Sequence, residues 1–220
     1  MTKAFKIALF AAVTLLLAAA PAALADTASM TLTSAGNNTV NGVYVGPYTA
    51  TINGNTTPVI CDDYSHDSYV GESWTAYVST LANPTYVRFT GGNETQTYDE
   101  VAFLANILFG LSGNNKEADA LQYAIWYLTG SPSTQATISA LSFFNDSSDV
   151  YGIQYWLNQA GSQQYYSGEF SNILIYTPTS GGNPQEFIVR TPEPATVLLL
   201  GLALAGLLML KRRQKLPFAI

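Results

Sequence analysis

The chain has 220 residues, of which 48% are hydrophobic and 11% charged, and its formal net charge is −6. Between Asp26 and Arg190 there are fourteen acidic and three basic residues, a net charge near −11, which disfavours binding to a phosphate backbone, so no nucleic-acid partner is expected. The single cysteine, Cys61, excludes an internal disulfide. This length accommodates one modest domain.

The first 25 residues have the layout of a cleaved secretory signal. Two lysines precede an apolar stretch from Ile7 to Leu17, and small residues lead to Ala25. Because this order is typical of signal peptides, we predict that residues 1–25 are removed and that the exported protein begins at Asp26. A buried N-terminal helix is the alternative.

The part of the chain from 28 to 89 consists of short β-rich runs separated by turn residues. Their alternation of apolar and polar residues predicts strands, and the intervening Gly, Asn and Pro predict tight turns. We therefore expect an antiparallel sheet or a small barrel. The runs are SMTLTSA, GVYVGPYTATI, TPVICDDY, SWTAYVSTL and TYVRF.

Four helical segments are predicted next. In the first, Thr97 is placed as N-cap with Glu100 three residues on, which is the capping-box arrangement. In the second, Asn114 or Asn115 is the cap and Gly130 ends the helix. The four segments are TYDEVAFLANILFGL, NKEADALQYAIWYLTG, TQATISALSFFN and SDVYGIQYWLNQA.

Two strands are predicted to close the domain. SNILIYTP and QEFIVRTP flank the turn TSGGNP and return the chain to the sheet. The fold class predicted for residues 26–190 is therefore α+β, with a sheet or barrel, a central helical segment and two late strands. A single C-terminal apolar helix is expected after it.

The C-terminus combines a Pro-Glu-Pro tripeptide, an apolar run and a basic cluster. The apolar run at 195–210 predicts a short membrane-spanning helix, and the basic residues after it favour the cytoplasmic side. Both prolines keep their segment extended. The tripeptide is Pro192, Glu193 and Pro194, and the basic cluster is Lys211, Arg212, Arg213 and Lys215.

Residues 191–215 resemble the PEP-CTERM sorting signal of exopolysaccharide-producing Gram-negative bacteria. The resemblance implies that an exosortase handles the protein near the Pro-Glu-Pro tripeptide. It also implies export across the inner membrane, anchoring by the C-terminal helix, and later placement at the cell surface or in the matrix. Thr191 stands where Val is common, and a tail at 216–220 follows the basic cluster. An ordinary single-span anchor is the alternative that hydropathy leaves open.

Cys61 lies in VICDDYSHDSY, where two kinds of chemistry are open. A dyad of Cys61 with His66 would give a hydrolase, although nearby carboxylates oppose formation of a thiolate. Alternatively, carboxylates of this segment could bind Ca²⁺ through their oxygens, although their spacing is not that of an EF-hand. These ligands would be Asp62, Asp63, Asp67 and Glu72.

A third interpretation follows from a resemblance. ICDDY, followed some 60 residues later by LQYAIWYL, resembles the thioester domains of Gram-positive surface adhesins, in which a strand Cys is joined to the Gln of a T-Q-x-A-[IV]-W motif on a helix. The resemblance implies a thioester between Cys61 and Gln122 that an external amine or hydroxyl can open once. Leu121 stands where Thr is usual. The residues that match the motif are Gln122, Ala124, Ile125 and Trp126.

We therefore expect an exported surface or matrix protein that attaches covalently to its surroundings and, since it reacts only once, is not an enzyme. Its partners would be the exosortase, exopolysaccharide or other surface components, and the membrane; no cofactor or metal is expected. The alternative is a non-covalent structural or carbohydrate-binding matrix protein with an inert Cys61, in which aromatic residues stack on sugar rings. Those aromatics are Tyr44, Tyr48, Tyr64, Tyr69, Trp74 and Tyr77.

Overall fold

The computed structural model describes residues 27–111 and 115–191. In this part of the chain there are eight strands and four helices. The strands are β1 (Thr27–Ser34), β2 (Thr39–Val40), β3 (Val43–Tyr44), β4 (Tyr48–Ile52), β5 (Asn55–Cys61), β6 (Ser73–Thr80), β7 (Ile173–Pro178) and β8 (Phe187–Arg190). The helices are α1 (Glu94–Leu108), α2 (Lys116–Thr129), α3 (Pro132–Ser139) and α4 (Ile153–Gly161).

Six strands form a closed antiparallel barrel in the order β1-β4-β5-β8-β7-β6. The two late strands complete it, because β8 pairs with β5 and β7 pairs with β6. This pairing places Cys61 opposite Phe187. The α+β prediction is confirmed, and the choice between an open sheet and a small barrel is decided in favour of the barrel.

Alternating burial along β1 and β4 explains why these sequences form barrel strands. Ala28, Met30 and Leu32 are buried on β1, while their neighbours are exposed or half-buried. Period-two burial of this kind is what a strand with one covered face produces. Strand β7 is buried at every residue, so both of its faces are covered.

Helix α2 is the central helix of the domain. It packs against α1, α3 and α4 and also reaches β5. Eight of its residues are buried, including Trp126 and Gln122. A helix with this much buried surface sits in the core, and its contact with β5 brings it to the end of the strand that carries Cys61.

The ends of α2 confirm the sequence prediction. The Asn115 side chain accepts a hydrogen bond from the main-chain N–H of Glu117 at 2.9 Å, which is the geometry of an N-cap. Gly130 is the C-cap residue. Asn114, the other candidate cap, lies outside the described residues.

The predicted N-cap of α1 was wrong. The helix begins at Glu94, three residues before Thr97, and its N-cap position is Asn93. The main-chain N–H of Thr97 already donates to the Asn93 carbonyl at 3.1 Å as part of the first turn. A side-chain bond between Asn93 and Gln96 at 2.7 Å closes that turn.

The run TYVRF was wrongly predicted as a strand, and the third helix was placed too late. Residues 85–89 lie in a loop, because the main-chain N–H of Arg88 donates to the Glu186 side chain rather than to a neighbouring strand. Helix α3 begins at Pro132, since Ser131 caps it by accepting from the Thr134 N–H at 3.3 Å.

Several predictions fall outside the described residues: the signal peptide at 1–25, the Pro-Glu-Pro tripeptide, the apolar helix at 195–210 and the basic cluster. Within 27–111 and 115–191, no helix combines the length and the apolar character that a membrane crossing requires.

Candidate functional site

The structure brings together the two residues of the predicted thioester. Cys61 is the last residue of β5 and Gln122 lies in the middle of α2, and both are 0% exposed. The Gln122 Nε2 donates a hydrogen bond to the main-chain O of Cys61 at 2.6 Å, across 61 positions of sequence. Gln122 Oε1 has no hydrogen-bond partner in the described part of the chain.

A second hydrogen bond fixes α2 to the segment after β5. The Thr129 hydroxyl contacts the main-chain O of Asp62 at 2.5 Å and that of Ile125 at 3.1 Å. Thr129 lies two helical turns after Gln122, so both side chains project from the same face of α2. Consecutive carbonyls of Cys61 and Asp62 are therefore held by one helix face.

The Cys61 thiol is held by the main chain of Asp63. The thiol donates to the Asp63 carbonyl at 3.3 Å, and the Asp63 N–H points to Sγ at 3.4 Å. Burial raises the pKa of the thiol well above its usual range, and the charges of Asp63 and Asp62 raise it further. The Asp63 main chain and the nearby Trp126 side chain oppose this rise only in part. The sulfur is therefore a neutral thiol.

Asp62 and Glu186 form a buried carboxyl pair beside the thiol. Burial raises the pKa of Asp62 well above its ordinary value of 3.8, and the charge of the neighbouring Glu186 adds to the rise. Glu186 accepts from the Tyr98 hydroxyl at 2.6 Å and from the Thr177 hydroxyl. Neither carboxyl oxygen of Asp62 has a hydrogen-bond partner among the described residues. Burial and the neighbouring carboxyl therefore favour the protonated form of Asp62.

Asp63 also organises the charged groups around the site. Its carboxylate contacts Arg88 Nη1 at 2.6 Å and His66 Nδ1 at 2.9 Å. The other guanidinium nitrogen of Arg88 donates to the carbonyls of Gly182 and Pro184 at 2.9 and 2.7 Å. The Arg88 guanidinium thus already donates hydrogen bonds to oxygens of the protein.

The predicted dyad of Cys61 and His66 is not formed by direct contact. His66 Nδ1 faces the carboxylate of Asp63, and its side chain is 34% exposed. In the described residues, the hydrogen bonds of the Cys61 sulfur are made with Asp63.

A cleft of about 420 Å³ opens beside the buried pair. Its walls come from the segment after β5, the loop after β6, the turn between α2 and α3, and the residue before β8. Solvent-sized molecules can therefore reach residues 62–66, which follow Cys61, whereas Cys61 and Gln122 do not line the cleft and are fully buried. Residues that line it include Asp62, His66, Arg88, Thr129 and Glu186.

The carboxylates proposed for Ca²⁺ do not converge. Asp62 and Asp63 are buried, Asp67 is exposed, and Glu72 accepts from the Tyr69 N–H at 3.0 Å. Within the described ranges, no group of three or more His, Cys, Asp or Glu side chains is arranged to hold a metal ion.

Most of the aromatic residues considered for sugar stacking pack against other aromatics. Tyr44 and Tyr69 differ, since they are 50% and 64% exposed. Only these two of the six therefore offer largely free faces. The packed pairs are Tyr48 with Phe187, Tyr64 with Trp126, Trp74 with Phe187, and Tyr77 with Tyr86.

Sequence reasoning missed three contributors to the site: Thr129, Arg88 and Glu186. Thr129 could have been found, because it lies on the same helix face as Gln122. Arg88 was detectable as one of three basic residues in an acidic domain. Glu186 had no local signal, because its role depends on how β8 pairs with β5.

Comparison with known proteins concerns the end of the chain. Residues 190–213 match the PEP-CTERM protein-sorting motif, which confirms the predicted sorting signal and implies export with exosortase-mediated processing. No curated protein and no solved structure matches the chain. The match spans 24 residues and does not describe the barrel domain.

Proposed function

We propose that this protein, carrying an exosortase-type sorting signal, attaches once and covalently to amines or hydroxyls of the surrounding surface or matrix through a thioester between Cys61 and Gln122. One observation carries the proposal: the Gln122 carboxamide bonds the main-chain O of Cys61 at 2.6 Å, with both residues fully buried. The amide carbon is thereby held beside the residue whose thiol would attack it.

Formation of the bond needs no external reagent. The Cys61 sulfur attacks the Gln122 Cδ, the C–S bond forms and the C–N bond breaks. The thiol proton leaves with the amide nitrogen as ammonia. Because the fold holds the two groups next to each other, the reaction step does not carry the entropic cost of bringing them together. The buried site also limits hydrolysis by water.

A thioester is compatible with this site because it carries no charge, like the neutral thiol that it would replace; burial raises the pKa of Cys61 and disfavours a thiolate. The unpaired Gln122 Oε1 also makes the unreacted amide costly, since a buried unsatisfied polar atom costs about 1–3 kcal/mol. A thioester carbonyl is a weaker acceptor than an amide carbonyl, so its burial is easier.

The composition also supports an external target. Lys116 is the only lysine between Asp26 and Arg190. An internal electrophile in such a domain meets few side-chain amines of its own chain. Its acceptor would then come from another molecule.

The test is the intact mass of the full-length chain, purified at neutral pH with and without methylamine. We expect a mass short by one ammonia, converted to the methylamine adduct on treatment. Cys61→Ala and Gln122→Ala should each abolish the deficit. Gln135→Ala is the matched control, because Gln135 also donates to a main-chain carbonyl, that of Tyr127 at 3.0 Å. An unmodified mass, with Cys61 alkylated after denaturation, would reject covalent attachment.

A second candidate function is non-covalent binding to matrix carbohydrate, favoured by the exposure of Tyr44 and Tyr69. Aromatic faces suit the apolar faces of sugar rings. Under this alternative, a Tyr44→Ala/Tyr69→Ala variant loses retention on exopolysaccharide while Cys61→Ala keeps it. Covalent attachment predicts the opposite result.

A further inference from the structure

Two buried polar atoms on one face of α2 lack partners, and they are of complementary kinds. Gln122 Oε1 is an acceptor without a donor, and the Trp126 Nε1–H, which can only donate, has no acceptor in the described part of the chain. The two residues are 0% and 1% exposed. Because an unpaired buried polar atom is costly, a pair of this kind calls for a physical explanation.

The helix face that carries these two residues is turned towards the end of β5. Residues three, four and seven apart on a helix lie on the same side. On this side Gln122 bonds the main-chain O of Cys61 at 2.6 Å, and Thr129 contacts that of Asp62 at 2.5 Å. Trp126 lies between these two contacts, four residues after Gln122 and three before Thr129. Its side chain therefore projects towards Cys61.

The Trp126 indole lies beside the Cys61 sulfur. Burial raises the pKa of the thiol, and the Trp126 N–H opposes this rise, because a donor close to the sulfur favours its charged form. Two aromatic rings pack edge to face on the indole, Tyr64 at 5.2 Å and Tyr123 at 5.1 Å between ring centroids. A fixed, buried N–H donor is therefore present at the sulfur before any reaction.

We propose that the Trp126 N–H stabilises the negative charge that develops on Gln122 Oε1 when the Cys61 sulfur attacks the amide carbon, and that it then bonds the thioester carbonyl. This proposal rests on the proposed function and extends it by naming a further residue of the reaction. The attack joins the sulfur and Oε1 to the same carbon atom, so a donor beside the sulfur is also beside the oxygen. A donor placed where charge develops accelerates this kind of reaction.

The step balances without another reactant. The sulfur attacks Gln122 Cδ, the C–S bond forms, and an electron pair of the C=O bond moves to Oε1 next to the Trp126 N–H. When that pair returns, the C–N bond breaks and ammonia leaves with the thiol proton. Trp126 gives up neither a proton nor an electron. Its hydrogen bond to the new carbonyl forms as the bond from Gln122 Nε2 to the Cys61 carbonyl is lost.

The rate of thioester formation in the full-length chain tests this role. Ammonia opens a thioester to regenerate the Gln122 amide and the Cys61 thiol, so its removal starts the reaction, which intact mass follows as the loss of one ammonia. We compare the wild type with Trp126→Phe, which keeps an aromatic ring and lacks the N–H. Trp156→Phe is the matched control, because Trp156 is also buried and donates its N–H to the Val150 carbonyl at 2.7 Å.

We expect Trp126→Phe to form the thioester about 100- to 1,000-fold more slowly, the usual cost of removing one donor to a developing oxyanion. Opening by methylamine passes through an oxyanion on the same carbon, so it should slow by a similar factor. Trp156→Phe should keep the wild-type rate of both reactions.

A spectroscopic measurement on the wild type distinguishes this role from packing. The chain has three tryptophans, so after ¹⁵N labelling the indole N–H signal of Trp126 is assigned by elimination with Trp74→Phe and Trp156→Phe. We expect this signal to move downfield when the thioester forms, because the N–H gains an acceptor, and the Trp156 signal to stay in place. The measurement leaves Trp126 unchanged, so it applies even if Trp126→Phe fails to fold.

The outcomes separate this proposal from the proposed function. A wild-type chain without the ammonia deficit overturns both. A deficit that forms at the same rate in the wild type and in Trp126→Phe overturns the role of Trp126 and leaves the thioester standing. The same holds for a Trp126 indole signal that is identical in the thioester and in the ammonia-treated chain. Equal slowing in Trp126→Phe and Trp156→Phe also overturns the role, because lost packing would then be the cause.

Discussion

Replacing Asp62 by Asn should stabilise the protein at neutral pH, because the wild-type carboxyl is buried next to Glu186 and its pKa is raised well above 3.8. Above that ordinary value the unfolded chain releases the proton while the folded chain retains it. The folded state then binds more protons, so its stability falls as the pH rises. Asn keeps the shape of the side chain and removes this titration.

The size of the effect has a ceiling. Each pH unit above 3.8 at which the folded chain retains the proton costs about 1.4 kcal/mol, so the penalty at pH 7 is at most about 4–5 kcal/mol. We expect Asp62→Asn to recover a measurable part of it at pH 7 and nothing below the ordinary aspartate pKa. The advantage of the variant should grow steadily between these limits.

Urea unfolding, followed by tryptophan fluorescence from about pH 4 to about pH 8, measures this difference. Asp67→Asn is the control, because Asp67 is exposed on the same loop. A variant that is no more stable than the wild type at pH 7 would refute the reasoning. So would a difference that does not depend on pH, since that would reflect packing rather than a retained proton.

Three further substitutions test how the site is held. Thr129→Val should lower the free energy of unfolding by about 1–3 kcal/mol in urea, because the Asp62 carbonyl loses its 2.5 Å partner. Asn115→Ala should lower it by about 0.5–2 kcal/mol through loss of the α2 N-cap, measured in the same way. Gly152→Ala should lower the free energy of unfolding by about 1–3 kcal/mol or more, measured as a lower melting temperature, because a Cβ would lie 2.0 Å from the Asp146 carbonyl oxygen.

Each of these changes has a matched control in the chain. Thr137→Val removes an exposed hydroxyl on α3, and Asn93→Ala alters an N-cap whose side chain bonds the Gln96 side chain but no main-chain N–H. Gly161→Ala adds a Cβ that meets nothing within 4 Å. If a control costs as much as its partner substitution, the contact named for that partner is not the cause.

Local signals predicted the elements whose ends are determined by neighbouring residues. Asn115 and Gly130 bound α2 as expected, because a side-chain cap and a C-terminal glycine act within one turn. The prediction failed where distant contacts dominate. Residues 85–89 have β propensity, yet Arg88 turns towards Asp63 and Glu186, and the segment remains a loop.

The candidate site was likewise predicted only where a short local motif indicated its residues. Cys61 and Gln122 were recognised from short motifs, and the structure places them in contact. The orientation of His66 by Asp63 was not predicted, although the two residues are neighbours, because side-chain geometry is not encoded in spacing. The pairing of Asp62 with Glu186 depends on the register of β5 and β8, which only the closed barrel defines.

The last barrel strand has a consequence for processing. Arg190 ends β8 and is also the first residue of the sorting motif, while Thr191 is tied through its N–H and hydroxyl to the Asn172 carbonyl at 2.8 and 3.0 Å. The first two residues of the matched motif therefore belong to the barrel domain, since Arg190 pairs with Ile173 and Thr191 is bound to Asn172. A cut that leaves these contacts in place has to fall after Thr191.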